Sequence, residues 1–410
     1  MKKVLSLFLL PMLFLSAAAC AGGSGKNDSS TVTDGKVPTV STITTDKGDT
    51  TVQITGSAAD TVQNDDTPTT PIGNIGVGVT CGDTSKFTDE TIEILKKNNI
   101  QCVRVVFLYP FRDASGKTVS DSFSKARAAA IKLASAGFTV VGQTFWPGGM
   151  GADSSGQRTW LLHTGIPEAY ARYDEDLTYD KMAEATRYIA RSLKKYVEYW
   201  LVSNEPDIET YTGPMTDAQI LRYINSCAKG IKEGNPNAKC GINLLGLVNP
   251  ARSKLFVSRL YGNDSCLDWL GLDGYFGSLQ AGGAETWDDY ITQFHAIAKK
   301  PIIITEWSYP SPETDPLNTF PHRWEGHVRG KKAQADFVSA CMKIFIKHEE
   351  VIGTLWYQLC DSDAVCWECG NPDCRLYSDW GILCEDLTGK PAMHAMAEAS
   401  VAFQKARKKQ

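Results

Sequence analysis

From Ile72 onward, short apolar runs rich in β-branched residues alternate with longer stretches whose apolar positions recur at helical spacing. The first kind reads as strands buried on both faces, the second as amphipathic helices. Strands are expected at Ile75–Thr80, Cys102–Tyr109, Thr139–Phe145, Tyr199–Ser203, Cys240–Leu245, Trp269–Tyr275, Ile302–Glu306 and Gly353–Gln358. Helices are expected at Asp89–Asn98, Ser124–Ala136, Tyr179–Lys195, Thr216–Glu233, Ser253–Tyr261, Trp287–Lys299, Lys331–Lys347 and from Pro391 to Ala402. Gly137, Pro236 and Pro301 mark helix-to-strand turns, and Thr178 or Asp180 is the expected cap of the third helix.

Strict alternation of strand and helix predicts a parallel sheet, and eight such units favour a closed (β/α)8 TIM barrel over an open sheet. Active sites of such barrels sit at the C-terminal strand ends. Two of those ends carry a glutamate. Val202-Ser203-Asn204-Glu205-Pro206 closes the fourth strand and Ile302-Ile303-Ile304-Thr305-Glu306-Trp307 the seventh. The interval between them fits three βα units of roughly 30 residues or slightly more. Two facing carboxyl groups are what cleavage of a glycosidic bond requires. A charge amid the apolar run Val103-Arg104-Val105-Val106 would be costly unless paired.

The strand ends Asn204-Glu205-Pro206 and Thr305-Glu306-Trp307 resemble glycoside hydrolase clan A, most closely families 39 or 5, over nearly all of Ile72 to Ala402. The resemblance implies a retaining hydrolase of β-linked oligo- or polysaccharides that needs no metal or organic cofactor. Glu205 would be the acid/base and Glu306 the nucleophile. Arg104 and Tyr275 would hold Glu306 ionised, Asn204 would bond the sugar 2-hydroxyl, and Trp356 would offer the sugar ring a flat apolar face. Gln143 and Trp146, ending the third strand, and Trp307 beside the nucleophile join the expected substrate-binding residues. Asp273 is expected to be a structural hydrogen-bonding residue rather than a third functional carboxylate. Two long loops, one carrying Trp160 and His163 and the other His322, Arg323 and Trp324, suggest a walled pocket or groove. A non-catalytic carbohydrate-binding surface lipoprotein is the rival reading, and transglycosylation would use the same residues with a different acceptor.

Ahead of the barrel, Lys2-Lys3, an apolar stretch from Val4 to Leu15 and small residues before Cys20 form a secretory signal over residues 1–19. The cysteine directly after the small residues resembles a bacterial lipobox. That implies a lipid anchor on Cys20, membrane attachment and a place in the bacterial cell envelope. Residues 20–71 are dominated by Gly, Ser, Thr and Asp and read as a flexible tether, with weak strand alternation at Thr39–Thr45. The catalytic domain is then residues 72–405. A net charge of −5 argues against a nucleic-acid partner. Cys360, Cys366, Cys369, Cys374 and Cys384 crowd one segment, where disulfides are favoured over a zinc site. For the six dispersed cysteines, thiols and bridges are both open.

Overall fold

The eight parallel strands expected from the apolar runs pair edge to edge until the first meets the last. In the computed structural model they are β1 (Gly76–Thr80), β2 (Cys102–Val106), β3 (Thr139–Gln143), β4 (Val197–Leu201), β5 (Lys239–Leu244), β6 (Trp269–Gly274), β7 (Ile302–Trp307) and β8 (Val351–Tyr357). Each pairs in parallel with its neighbour in sequence, and β1 closes on β8. The (β/α)8 barrel is confirmed. The structure describes residues 72–152, 158–161, 165–262, 265–312, 329–362 and 378–408. The signal and tether, Cys20, Thr39–Thr45, His163, His322, Arg323, Trp324, Cys366, Cys369 and Cys374 lie outside those residues, as does the side chain of Trp160.

Eight principal helices surround the barrel: α1 (Asp89–Lys97), α2 (Asp121–Ser135), α3 (Asp176–Leu193), α4 (Asp217–Gly234), α5 (Pro250–Leu260), α6 (Thr286–Ala298), α7 (Lys331–Lys347) and α8 (Pro391–Arg407). Three start one turn earlier than the apolar periodicity suggests, because polar first turns carry no apolar signal. Ser120 caps α2 by accepting from Phe123 N, and Asn249 caps α5 ahead of Pro250. The third, α3, begins at Asp176, ahead of both expected caps; Thr178 instead donates to Arg172 O at 2.7 Å. No helix among the described residues is long and apolar enough to cross a membrane.

Side chains alternate between the barrel interior and the helix layer. At the N-terminal end the inward set is Ile75, Cys102, Val141, Tyr199, Leu201, Trp269, Ile303 and Leu355, which pack into one cluster that plugs the barrel. The outward set, including Val103, Trp200, Leu270, Ile304, Trp307 and Trp356, packs beneath the helices. The Tyr199 hydroxyl reaches out of the plug to Gly73, accepting from its N–H and donating to its carbonyl, both at 3.0 Å. That strap fixes the chain where it joins the barrel at the N-terminal face.

All eight cysteines among the described residues are thiols. Cys360 and Cys384 are therefore not the bridge partners their crowded segment suggested, and Cys81, Cys102, Cys227, Cys240, Cys266 and Cys341 are unbridged too. The interior thiols pack as small apolar groups.

Candidate active site

Glu205 reaches the barrel mouth through a sharp backbone turn rather than by continuing its strand. Beyond Leu201, Ser203 and Glu205 have φ of +73° and +36°, left-handed values that cost non-glycine residues about 1–3 kcal/mol each. The turn is held from three sides. Thr144 Oγ1 accepts from Ser203 N at 3.2 Å, Asn243 Oδ1 accepts from Glu205 N at 3.0 Å, and Ile208 N donates to Glu205 O at 3.0 Å. Further on, Asp207 accepts from Ser253 Oγ at 2.7 Å and Leu245 N at 3.3 Å, pinning the loop to α5 and to the end of β5. Burial, partly offset by those donors, raises the Asp207 carboxyl to about 6.

Glu306 arrives by a different device. Leu272 pairs with Ile304, but Asp273 pairs with Glu306, so the register between β6 and β7 slips at that point. Such an irregularity re-aims side chains. Here it turns both Thr305 and Glu306 toward the interior. Gly271, one inward layer below, makes room: a Cβ there would sit 2.8 Å from Thr305 Oγ1 and 2.7 Å from Ile242 O.

The two glutamates have opposite surroundings. One Glu306 oxygen accepts from Arg104 Nη2, and the other accepts from the Tyr275 hydroxyl at 2.5 Å. Arg104 also donates to Thr305 O at 3.4 Å. Burial opposes the Arg104 charge, but Glu306 and Asp273 beside it outweigh burial and hold the guanidinium above its usual value. Glu205 is fully buried, and neither of its oxygens has a hydrogen-bond donor among the described residues. Burial first, then the neighbouring Asp273, Glu306 and Asp207, push its carboxyl well above the ordinary range. Glu205 is thus the proton-holding partner and Glu306 sits in an anion cradle.

Asn204 directly precedes Glu205 and is buried. Its side-chain oxygen accepts from Gln143 Nε2 at 3.1 Å and from Asn243 Nδ2 at 3.2 Å, which leaves the amide NH2 as the end that can face a sugar. Gln143 therefore positions Asn204. Trp146 is half-buried and stands edge-on to Tyr211, with centroids 6.2 Å apart; Tyr211 in turn lies close enough to feel the charge of Glu205.

The structure does not bring Trp307 and Trp356 to the glutamates. Both have outward parity. Trp307 packs edge-on against Phe345 of α7 at 5.0 Å and against Trp356 at 4.9 Å, and Trp356 Nε1 donates to Trp380 O at 3.0 Å. Tyr357, the next residue on β8, has the inward parity and stands edge-on to Tyr275, with centroids 6.4 Å apart. Burial and Glu306 keep its hydroxyl protonated.

Asp273, Asn243 and Thr305 complete the centre. Asp273 accepts from Asn243 Nδ2 at 2.6 Å and Thr305 Oγ1 at 2.5 Å, in keeping with its expected hydrogen-bonding role. Oxygens of Glu205, Asp273 and Glu306 lie within 4.8 Å of one another. Three carboxylates that close could ligate a cation, but Arg104, Tyr275, Asn243 and Thr305 already supply donors to two of them. The polar interruption in Cys240-Gly241-Ile242-Asn243-Leu244, read as Arg104 was, would have pointed to Asn243.

The sequence profile of glycosyl hydrolase family 53 matches residues 72–357, which span all eight strands and both glutamates. The chain belongs to glycosyl hydrolase family 53. It is an O-glycosyl hydrolase, and its place in clan A stands. The resemblance to families 39 and 5 is corrected, because strand-end motifs common to the clan do not separate its families. No curated protein sequence matches the chain. Among solved structures, this family 53 enzyme is similar to the Ignisphaera aggregans GH53 catalytic domain (18% identity, TM-score 0.55, covering 80% of this chain and 97% of that one). It is also similar to GH5_18 from Streptomyces cattleya in complex with GlcNAc (17% identity, TM-score 0.59, 82% and 81%). Xylanase 10B from Thermotoga maritima is a third (14% identity, TM-score 0.57, 82% and 97%). At these identities the likeness speaks for the fold alone.

Proposed function

We propose that the enzyme cleaves β-linked polysaccharide with retention, Glu306 attacking the anomeric carbon while Glu205 protonates the departing oxygen. In the second step Glu205, now ionised, draws the proton from water that displaces Glu306 from the sugar. The observation that carries this reading is the contrast between the two carboxyls: Glu306 held by a cation and a hydroxyl, Glu205 buried without a donor. Their oxygens lie within 4.8 Å of one another. Retaining enzymes place the two groups about 5–5.5 Å apart, inverting ones about 6.5–9.5 Å apart. Endo-β-1,4-galactanase is the activity attached to family 53, so β-1,4-galactan is the first substrate to test.

Hydrolysis followed by proton NMR should show the β-anomer of the product first, before mutarotation. An α-anomer appearing first would overturn the mechanism. Glu306→Ala and Glu205→Ala should lose activity by about 10⁴-fold or more. Azide should rescue the two differently, giving an α-glycosyl azide with the first and a β-glycosyl azide with the second.

The same reading places the enzyme in the bacterial cell envelope, held through lipid on Cys20. Support comes from the charged, apolar and small-residue succession of residues 1–19. Labelled palmitate should be incorporated by the wild type and not by Cys20→Ala; equal labelling would sink it.

A further inference from the structure

Three carboxyl groups meet at the centre of this barrel, and only two of them are supplied with donors. Glu306 takes Arg104 and Tyr275; Asp273 takes the Asn243 amide and the Thr305 hydroxyl. Glu205 takes none. Asn243 ties the first half of the arrangement to the second, because its oxygen accepts from Glu205 N while its NH2 donates to Asp273. One amide thus fixes the acid/base backbone and the neighbouring carboxylate in a single frame.

Two buried carboxylates facing each other repel, and a hydrogen bond between them exists only when one carries a proton. The other charged and titratable groups around the pair do not supply a substitute. Arg104 is matched by Glu306. Asp207 is a further carboxyl close enough to raise Glu205, with its own two oxygens engaged by Ser253 Oγ and Leu245 N. The hydroxyls of Tyr211, Tyr275 and Tyr290 near the pair are all held neutral by burial.

We propose that Asp273 is the positioning residue for the acid/base, sharing one proton with Glu205 and holding it on Glu205 until a leaving oxygen takes it. The proposal rests on the assignment of Glu205 as acid/base made above. Its direction follows from the donors. Asn243 and Thr305 favour an ionised Asp273, so the proton resides on Glu205, which has nothing else to bind. Burial raises both carboxyls, which is consistent with a proton retained between them at neutral pH. Once Glu205 has given its proton to the leaving oxygen, it is ionised beside an ionised Asp273. That repulsion makes it a stronger base for the proton of the incoming water, and the proton returns to the pair. The same neighbour therefore serves both halves of the cycle, as in paired acidic groups that share one proton.

The test is a pH titration of the full chain by difference infrared spectroscopy, following the carbonyl stretch of a buried protonated carboxyl. The wild type should show one such band at neutral pH, and Glu205→Gln should abolish it. Asp273→Asn should move the midpoint of its loss down by about one pH unit or more, since the amide can donate to an ionised Glu205. Thr305→Val should move it up, because Asp273 loses a donor and holds the shared proton more tightly. Opposite shifts in these two variants cannot come from general loosening of the fold. A midpoint unmoved in Asp273→Asn, a downward shift in Thr305→Val, or a band that survives Glu205→Gln would overturn the proposal. The measurement needs no sugar, so a failure of the glycosidase roles would be seen separately, in the product anomer and the azide rescue.

Discussion

At the N-terminal end of the barrel the inward side chains are Ile75, Val141, Leu201, Ile303 and Leu355. A layer or two further along the same strands they are Gln143, Asn243, Asp273, Glu306 and Tyr357. Both ends are buried, and the same alternation of side chains builds both except at Glu306, which the register slip turns inward. The lower end is held mainly by apolar contact, with hydrogen bonds from Tyr199 and Trp269 to backbone and no carboxyls in the cluster. The upper end brings a cation, three carboxyls and three amides into the same dry space, where each unpaired group would cost several kcal/mol. It tolerates them because the charges are matched in detail: Arg104 against Glu306, Asn243 and Thr305 against Asp273. A rigid plug below keeps that matching in register above. The difference teaches where a substitution should cost activity and where it should cost stability.

The strongest way to break the contrast is Arg104→Met, which keeps the bulk and removes the cation. Glu306 then loses its charge partner, and turnover of whichever β-glycan the wild type cleaves should fall on the order of 10³-fold. Activity within tenfold of wild type would mean that the upper charges are not held for chemistry. Leu201→Ala probes the lower end. It should lower the free energy of unfolding in urea by about 2–4 kcal/mol while leaving kcat nearly unchanged. A kcat loss as large as that of Arg104→Met would show that the two ends are not separable.

The smallest effect sharpens the contrast through pH. Asp207 is raised from 3.8 to about 6 in the folded enzyme, so the native state keeps a proton that the unfolded chain has released between those values. Stability from this group is full below pH 4 and is lost as pH rises to 6, by at most about 3 kcal/mol at about 1.4 kcal/mol per unit. Asp207→Asn should flatten that slope in denaturation curves taken from pH 4 to 7. Parallel slopes in the two proteins would refute the assignment.

Much of this was legible in the sequence. The apolar runs marked all eight strands because parallel strands buried on both faces carry few polar positions. Glu205, Glu306, Arg104 and Tyr275 stood out as polar residues in or just beyond such runs, and the structure brings them together. Trp356 and Trp307 were misplaced because nearness to a strand end was taken for orientation. Counted from Leu355 in the plug, parity turns Tyr357 inward and Trp356 outward. For Trp307 the register slip between β6 and β7 matters as well, and no local pattern in Thr305-Glu306-Trp307 announces it. Asn243 and Asp273 act through each other across strands, a pairing that only the closed barrel reveals.

The Tyr199 strap at Gly73 has a consequence for how the enzyme meets a polymer. Gly73 lies at the plugged end, so the chain enters the barrel on the face opposite the strand ends that carry Glu205 and Glu306. A polymer therefore approaches the face opposite the one at which the chain enters the barrel.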